Sequence, residues 1–214
     1  MDTVKYADEI SAPSAEKQGA VGIINYGAGN IFSLTAALDR LGIKYGMVHD
    51  PDDFEGYDRY IIPGVGHAGA AMKKLSETGL VTAIRGLKKP VLGVCVGMQL
   101  LTSYSEEGNS DLMSIIPLQT KLFEESLKLK VPHTGWNKVH VASENALFSG
   151  LNDEYFYFVH SYHIEFNSNF TLASADYGIK FSAAIKKDNF YGVQFHPEKS
   201  GKAGERLLHN FTRL

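Results

Sequence analysis

One cysteine of the 214-residue sequence occurs in a setting that favours nucleophilic chemistry. Cys95 follows the apolar run 91–94 and is flanked by Gly93 and Gly97. The pattern predicts a strand, a sharp turn at the cysteine and then a helix, whose N–H groups would stabilise a thiolate. Such a turn is called a nucleophile elbow when it carries serine. Free cysteines also pack as small hydrophobes, so the turn alone leaves the role of Cys95 open.

A second reactive pattern lies near the C-terminus, where an apolar stretch ends in His196, Pro197 and Glu198. Because proline ends the strand, we expect His196 and Glu198 to lie together at one end of the sheet. The carboxylate would orient the imidazole, and the imidazole would take the proton of the Cys95 thiol. A solvent-capped histidine beside an unrelated glutamate would have the same sequence, so neither pattern is sufficient alone.

The elements that must position these residues alternate between strands and helices in the first half of the chain. Predicted strands at 20–24, 60–62 and 91–94 each lead through a small-residue turn into a helix, which indicates a parallel sheet covered on both faces. After about residue 130 the pattern favours closely spaced strands. These are predicted at 138–141, 155–160, 171–175, 181–185 and 190–195, followed by an amphipathic helix at 201–211.

Length and composition indicate one globular domain, which we place at residues 20–214. Residues 1–19 are expected to be a disordered leader or a cloning remnant, because they carry charges and no apolar run. The net charge of -3 gives no sequence-wide reason to bind nucleic acid or an anionic membrane. The single cysteine cannot form an intramolecular disulfide and favours a reducing, cytoplasmic location.

Taken together, the two patterns resemble the Cys-His-Glu triad of the class I glutamine amidotransferases, and the resemblance covers nearly all of residues 20–214. Within that family the chain looks most like the glutaminase subunits of imidazole glycerol phosphate synthase. The supporting segments are residues 25–30, 63–66, 97–101, 132–137, 157–162 and 194–200. The resemblance implies a three-layer, flavodoxin-like α/β fold with a mixed, largely parallel central sheet and a β-rich C-terminal half.

The resemblance also implies a reaction in which Cys95 attacks the side-chain amide of L-glutamine. His196 would pass the proton to the departing ammonia, Glu198 would orient His196, and water would release glutamate from the thioester. Neither a cofactor nor a metal is expected. The implied site residues are, for the oxyanion hole, Val65, Gly66 and Val96; for substrate binding, Gln99, Glu107, Ser161 and Tyr162; and for the partner interface, Asn30, Trp136, Tyr157, His160 and Lys199.

The implied partner is a (β/α)₈ barrel cyclase subunit, which forms a heterodimer with the glutaminase and receives its ammonia. That subunit makes imidazole glycerol phosphate and AICAR in histidine biosynthesis. Two positions depart from the family pattern: Val96 replaces an expected leucine, and Thr134 stands where methionine is common. Val96 should matter little, because the oxyanion would be bound by its backbone N–H and not by its side chain. Thr134 could alter packing at the partner face.

Four alternatives stay open at this stage. The nearest is a paralogous amidotransferase that supplies ammonia for surface-sugar biosynthesis. Gly64, Gly66 and Gly69 fit a dinucleotide-binding G-x-G-x-x-G, although the acidic residue needed about 20 positions later is replaced by Val94–Cys95. Eight histidines make a metal site conceivable, but no Cys-x-x-Cys or His-Glu-x-x-His spacing occurs. A catalytically idle scaffold subunit would lack a triad member, and all three are present.

Overall fold

The computed structural model describes residues 19–27, 29–124, 126 and 128–214. The predicted leader at 1–19 lies outside them except for Gly19. The helices are α1 (Ile31–Arg40), α2 (Ala68–Glu77), α3 (Leu80–Gly86), α4 (Val96–Leu100) and α5 (Gly201–Phe211). The strands are β1 (Val21–Ile24), β2 (Tyr45–Val48), β3 (Arg59–Ile62), β4 (Val91–Val94), β5 (Tyr104–Ser105), β6 (Ser110–Asp111), β7 (Gln119–Leu122), β8 (His133–Lys138), β9 (His140–Val141), β10 (Tyr155–His160), β11 (Tyr162–Glu165), β12 (Thr171–Tyr177), β13 (Ile179–Lys187) and β14 (Phe190–Val193).

The parallel sheet predicted from the first half of the sequence is confirmed. Strands run in the order β2-β1-β3-β4-β14, and each adjacent pair is parallel. Every residue of β1 and β4 is buried, as expected for strands covered on both faces. The connection from β1 through α1 to β2 and the connection from β3 through α2 and α3 to β4 run in opposite directions along the sheet. Because such crossovers are right-handed as a rule, α1 is expected on one face and α2 with α3 on the other. Helix α5 packs beside α1, where Arg40 Nε donates to Glu205 Oε1 at 3.0 Å.

The β-rich second half extends this sheet beyond β14. Strands β13 and β11 continue it in antiparallel fashion, and β7, β5 and β6 follow, with β12 and β9 branching from β13. A separate antiparallel pair is formed by β8 and β10. The sheet is therefore mixed, with five parallel strands at one end and a second parallel pair, β5 with β7, near the other, in agreement with the implied fold class.

The predicted bounds of β10 and α5 are confirmed, whereas the predicted strand at 138–141 is wrong. Strand β8 ends at Lys138 and pairs with β10, but β9 begins at His140 and pairs with β12. The chain thus changes partner strands at Val139, whose N–H donates instead to the Glu154 carbonyl at 2.9 Å. The stretch 190–195 also ends earlier than predicted, because β14 stops at Val193.

Adjacency of β4 and β14 determines where the reactive residues meet. Val193 lies opposite Val94 in the parallel register, and the Cys95 N–H donates to the Val193 carbonyl at 2.8 Å. Both strands therefore deliver their following residues to the same edge, where open α/β sheets place their ligand sites. Among the described residues, no helix has both the length and the apolar character needed to cross a bilayer.

Candidate active site

The turn at Cys95 has the strained geometry of a nucleophile elbow. Cys95 has φ 54° and ψ −110°, a conformation that a residue with a side chain adopts only when its surroundings enforce it. Those surroundings are tightly packed backbone. A Cβ on Gly97 would collide with the Ile62 carbonyl, and one on Gly93 would collide with the Gly97 carbonyl. The two glycines thus allow the close approach of chain segments that the sequence predicted.

Helix α4, which starts at the elbow, has only five residues. The dipole of so short a helix contributes little to thiolate stabilisation, since the effect builds up from aligned peptide units. Side chains near the sulfur must therefore supply more of the stabilisation than the sequence pattern suggested.

His196 is held at the sheet edge by contacts to its backbone and its ring. Its N–H donates to the Tyr157 carbonyl at 2.9 Å, and the Ser200 hydroxyl donates to its carbonyl at 2.6 Å. On the ring, Nδ1–H donates to Glu198 Oε1 at 2.8 Å, with the two side chains only 1% and 4% exposed. The pair predicted from sequence is thus in hydrogen-bonding contact, which fixes Nε2 as the free ring nitrogen.

His196 Nε2 makes no hydrogen bond among the described residues. Cys95 is its neighbour in the wall of the same pocket. Burial lowers the pKa of His196, but the neighbouring Cys95 sulfur and the Glu198 carboxylate outweigh burial and raise it to about 10. Such an imidazole keeps a proton taken from the thiol and stabilises the thiolate that remains.

The segment between β3 and α2 lies against the elbow. The buried Tyr26 hydroxyl donates to the Pro63 carbonyl at 2.8 Å, and a Cβ on Gly64 would lie 2.6 Å from the Gly97 nitrogen. Gly66 has φ 86°, in the region that favours glycine. The N–H groups of the three predicted oxyanion-hole residues, Val65, Gly66 and Val96, donate to no protein group among the described residues.

This packing accounts for the glycine pattern that resembled a dinucleotide-binding loop. Gly64 is required by the approach of the elbow backbone, and a Cβ on Gly69 would collide with the Ser110 side chain. Both glycines therefore have a structural reason that involves no phosphate. In the part of the chain that the structure describes, no group of three or more His, Cys, Asp or Glu side chains is arranged to hold a metal.

A pocket of about 300 Å³ opens in front of Cys95. All four predicted substrate-binding residues and all three predicted oxyanion-hole residues line it. Its wall consists of Val65, Gly66, Cys95, Val96, Gln99, Glu107, Pro132, Val159, His160, Ser161, Tyr162 and His196. Glu107 also accepts the Ala68 N–H through Oε2 at 2.5 Å, which caps the start of α2 and leaves Oε1 for another partner.

Gln99 and Gln194 form a buried amide chain that ends at the Cys95 sulfur. Gln99 Nε2 donates to the Tyr162 carbonyl at 3.4 Å and to Gln194 Oε1 at 3.2 Å. Gln194 Nε2 in turn lies 3.7 Å from Cys95 Sγ and donates to it. Neither Gln194 nor Tyr26 was among the predicted site residues. Their only sequence signal was that Gln194 lies in the supporting segment 194–200 and Tyr26 in the supporting segment 25–30.

The predicted interface residues lie in three settings. Trp136 is 56% exposed and meets Tyr157 edge-on across β8 and β10, at 6.1 Å between ring centroids. Lys199 is exposed, and Asn30 is partly buried where it caps α1. His160 instead is 6% exposed and lies in the pocket wall.

Known proteins resemble this chain in both sequence and fold. Residues 22–214 match the family model described as glutamine amidotransferase class-I. The chain is 48% identical over 191 residues to the imidazole glycerol phosphate synthase subunit HisH of Pasteurella multocida, covering 89% of this chain and 96% of that protein. It is 47% identical over 196 residues to the HisH subunit of Bacteroides fragilis (strain YCH46), covering 91% and 99%. A solved structure titled glutamine amidotransferase shares the fold, with a TM-score of 0.71, 19% identity and coverage of 91% and 97%. The chain belongs to the class I glutamine amidotransferases.

Proposed function

We propose that this chain is the glutaminase subunit of an imidazole glycerol phosphate synthase, hydrolysing L-glutamine and supplying ammonia to a barrel cyclase in histidine biosynthesis. Near-full-length identity of 48% and 47% to subunits of that name supports the assignment. The observation that carries the chemistry is the buried His196–Glu198 pair facing a strained Cys95 at the edge of a parallel sheet.

In the proposed reaction, His196 Nε2 takes the Cys95 proton and the thiolate attacks the amide carbon of glutamine. Collapse of the tetrahedral intermediate breaks the C–N bond as His196 returns the proton to nitrogen, so that ammonia leaves. Water, deprotonated by the same imidazole, then hydrolyses the thioester to glutamate. Glu198 keeps the Nδ1 proton in place and stabilises the imidazolium throughout.

The negative oxygen of that intermediate needs donors that are free in the resting enzyme. We assign this role to the N–H groups of Val65, Gly66 and Val96, which line the pocket and donate to no other protein group among the described residues. The loss of one such donor costs roughly 10²- to 10³-fold in rate. The Tyr26 hydroxyl holds the segment between β3 and α2, which carries two of these donors.

Recognition of the amino-acid end of glutamine falls to the far wall of the pocket. Glu107 Oε1 is placed to bind the substrate ammonium while Oε2 caps α2. Gln99 Oε1 is available to the substrate because its Nε2 is already used. The backbone of Ser161 and Tyr162 completes this wall. Glu107 and Gln99 thus each use one polar atom to support the fold and offer the other to the substrate.

The partner is proposed to be a (β/α)₈ barrel cyclase that docks over the pocket. The exposed side of the β8–β10 pair, which we call the aromatic face, consists of Thr134, Trp136, Lys138, Tyr155, Tyr157 and Val159. Val159 belongs both to this face and to the pocket wall, so a subunit seated there would lie directly over the ammonia source. Aromatic residues are enriched at the centres of interfaces, and the exposed Lys199 adds a charge nearby. A cytoplasmic location is proposed with the pathway.

The assignment is tested by reconstitution with the histidine-pathway barrel cyclase and its ribonucleotide substrate. We expect glutamine-dependent formation of imidazole glycerol phosphate, with little glutamine hydrolysis by the chain alone and faster hydrolysis in the complex. Glutamine hydrolysis that responds only to a barrel from surface-sugar biosynthesis would instead assign the chain to the paralogous pathway. Equal turnover with and without either barrel would contradict activation by a partner.

A further inference from the structure

Gln194 is a fully buried carboxamide that the reaction described above does not use. We propose that Gln194 is a further catalytic residue, whose Nε2–H group donates a hydrogen bond to Cys95 Sγ and stabilises the reactive thiolate. The proposal rests on the proposed glutaminase function, because that function makes the sulfur the reacting atom. It follows from the position of the side chain and from the hydrogen bonds that fix its orientation.

The position of Gln194 follows from the sheet. It comes directly after β14, whose last residue, Val193, lies opposite Val94. Its backbone N–H donates to the Ala183 carbonyl on β13 at 2.9 Å, which anchors the residue between two strands. The side chain then reaches the residue after Val94, and Nε2 lies 3.7 Å from Cys95 Sγ.

The neighbouring hydrogen bonds fix the orientation of the Gln194 carboxamide, although its oxygen and nitrogen are nearly alike in shape. The Tyr162 carbonyl can only accept, so the Gln99 amide must turn its Nε2 toward that carbonyl. The same Nε2 faces Gln194 at 3.2 Å, so Gln194 must present Oε1 there. Its Nε2 is consequently directed at the sulfur. A reversed Gln194 would place two donors against each other.

A second hydrogen bond to the Tyr162 carbonyl, from His160, agrees with its role as an acceptor. His160 Nδ1 lies 2.8 Å from that oxygen, and an imidazole nitrogen in contact with a carbonyl must be the one that carries hydrogen. Two donors, from His160 and Gln99, thus converge on one carbonyl. The whole chain from His160 to Cys95 has a single consistent set of donors and acceptors.

A neutral donor at this position suits a sulfur that changes charge. Hydrogen bonds to charged acceptors are about twice as strong as neutral ones, so the bond strengthens when His196 removes the thiol proton. It weakens when sulfur becomes part of the thioester, and strengthens again when thiolate is expelled by water. Gln194 gains and loses no proton in these steps. It therefore adds to the effect of His196 without competing for the proton.

The test is alkylation of Cys95 by iodoacetamide, followed by mass spectrometry between pH 6 and 9. Because Cys95 is the only cysteine, each chain can gain one thioether. The isolated chain is compared with Gln194→Met, which removes the donor, and with Gln194→Glu, which removes the donor but keeps an acceptor for Gln99. We expect both variants to react roughly tenfold more slowly near neutral pH, in line with the loss of a hydrogen bond to a charged group. Their rate profiles should also move to higher pH.

Asn210→Leu is the matched control. Asn210 is another buried carboxamide, but it donates to the carbonyls of Leu147 and Ser149 rather than to the sulfur. Its loss should lower stability with no change in the alkylation profile. Circular dichroism shows whether each variant is folded. If Gln194→Met does not fold, Gln194→Glu carries the test.

Each outcome decides the role of Gln194. Slower alkylation in both variants, with the control unchanged, supports direct donation to sulfur. Unchanged alkylation in both would overturn it, and loss in Gln194→Met with none in Gln194→Glu would also overturn it, since the residue would then only support Gln99. A wild-type chain that is alkylated but hydrolyses no glutamine with its barrel would refute the proposed function, while the comparison of variants would still decide the hydrogen bond.

Discussion

Acid should destabilise this protein through a buried histidine pair beside the pocket, and replacement of His133 by phenylalanine should remove the part of that sensitivity that His133 contributes. His133 is 4% exposed and stacks on Tyr177 and Phe158, with ring centroids 4.0 and 5.0 Å away. Since His160 uses Nδ1–H on the Tyr162 carbonyl, its Nε2 must accept the Nδ1–H of His133, at 2.9 Å. His133 Nε2 then accepts from Asn137. Protonation of either ring would place donor against donor.

The size of the effect follows from the pKa of His133, which burial lowers from 6.5 to about 4. Because the folded-state pKa lies below the unfolded-state value, the unfolded chain binds more protons between these two pH values, and stability falls as pH falls through that window. Each pH unit within it costs about 1.4 kcal/mol. The His133 ring therefore lowers the free energy of unfolding by about 2 kcal/mol between pH 6.5 and pH 5.

Urea unfolding of the wild type and His133→Phe at intervals from pH 7 to pH 5 measures this directly. The variant keeps a ring in the stack but loses the bond to His160, so it should be less stable at pH 7 by roughly 1–3 kcal/mol. That deficit should shrink by about 2 kcal/mol at pH 5. His49→Gln, which changes an exposed histidine, should run parallel to the wild type. A deficit for His133→Phe that stays constant with pH would refute the reasoning.

Three further changes test other parts of the account. Gly97→Ala should lower the free energy of unfolding by roughly 1–3 kcal/mol, because its Cβ would collide with the Ile62 carbonyl. The control Gly86→Ala, whose Cβ would meet nothing within 4 Å, should be neutral or slightly stabilising. Equal urea midpoints for the two variants would contradict the packing of the elbow. Glu198→Gln should lower kcat by up to about 10⁴-fold with little change in KM, since the imidazolium loses its carboxylate. A loss of kcat below threefold in steady-state glutaminase kinetics would remove Glu198 from the mechanism. Trp136→Ala should weaken barrel binding by about 2 kcal/mol in calorimetry without changing the stability of the isolated chain. The reason is that the ring is exposed at the centre of the aromatic face. An unchanged Kd would place the interface elsewhere.

The reactive centre could be predicted because its residues follow apolar strands that a sequence pattern reveals. A cysteine after one buried strand and a histidine after another meet at one edge if the strands are parallel neighbours, as β4 and β14 are. The glycines around Cys95 were also informative, since they mark places where no Cβ fits. Local patterns of this kind can be recognised in the sequence without knowledge of the full topology.

Features that depend on the pairing of distant strands could not be predicted. Gln194 lies in a stretch where every residue from 192 to 197 is buried, so no alternation shows which side chains face Cys95. His160 looked like an interface residue because it belongs to a motif, but its contact with His133 depends on the register of β8 and β10. The change of partner strand at Val139 likewise has no local signal, because both flanking segments favour strands.

Glutamine hydrolysis by the wild type and by Cys95→Ser, each with the barrel cyclase and its ligand, tests the central claim most directly. Serine keeps the shape of the side chain but replaces the sulfur that His196 faces. We expect steady release of glutamate by the wild-type complex and release at background level by the variant, with barrel binding intact. Equal rates of glutamate release by the two complexes would contradict Cys95 as the nucleophile.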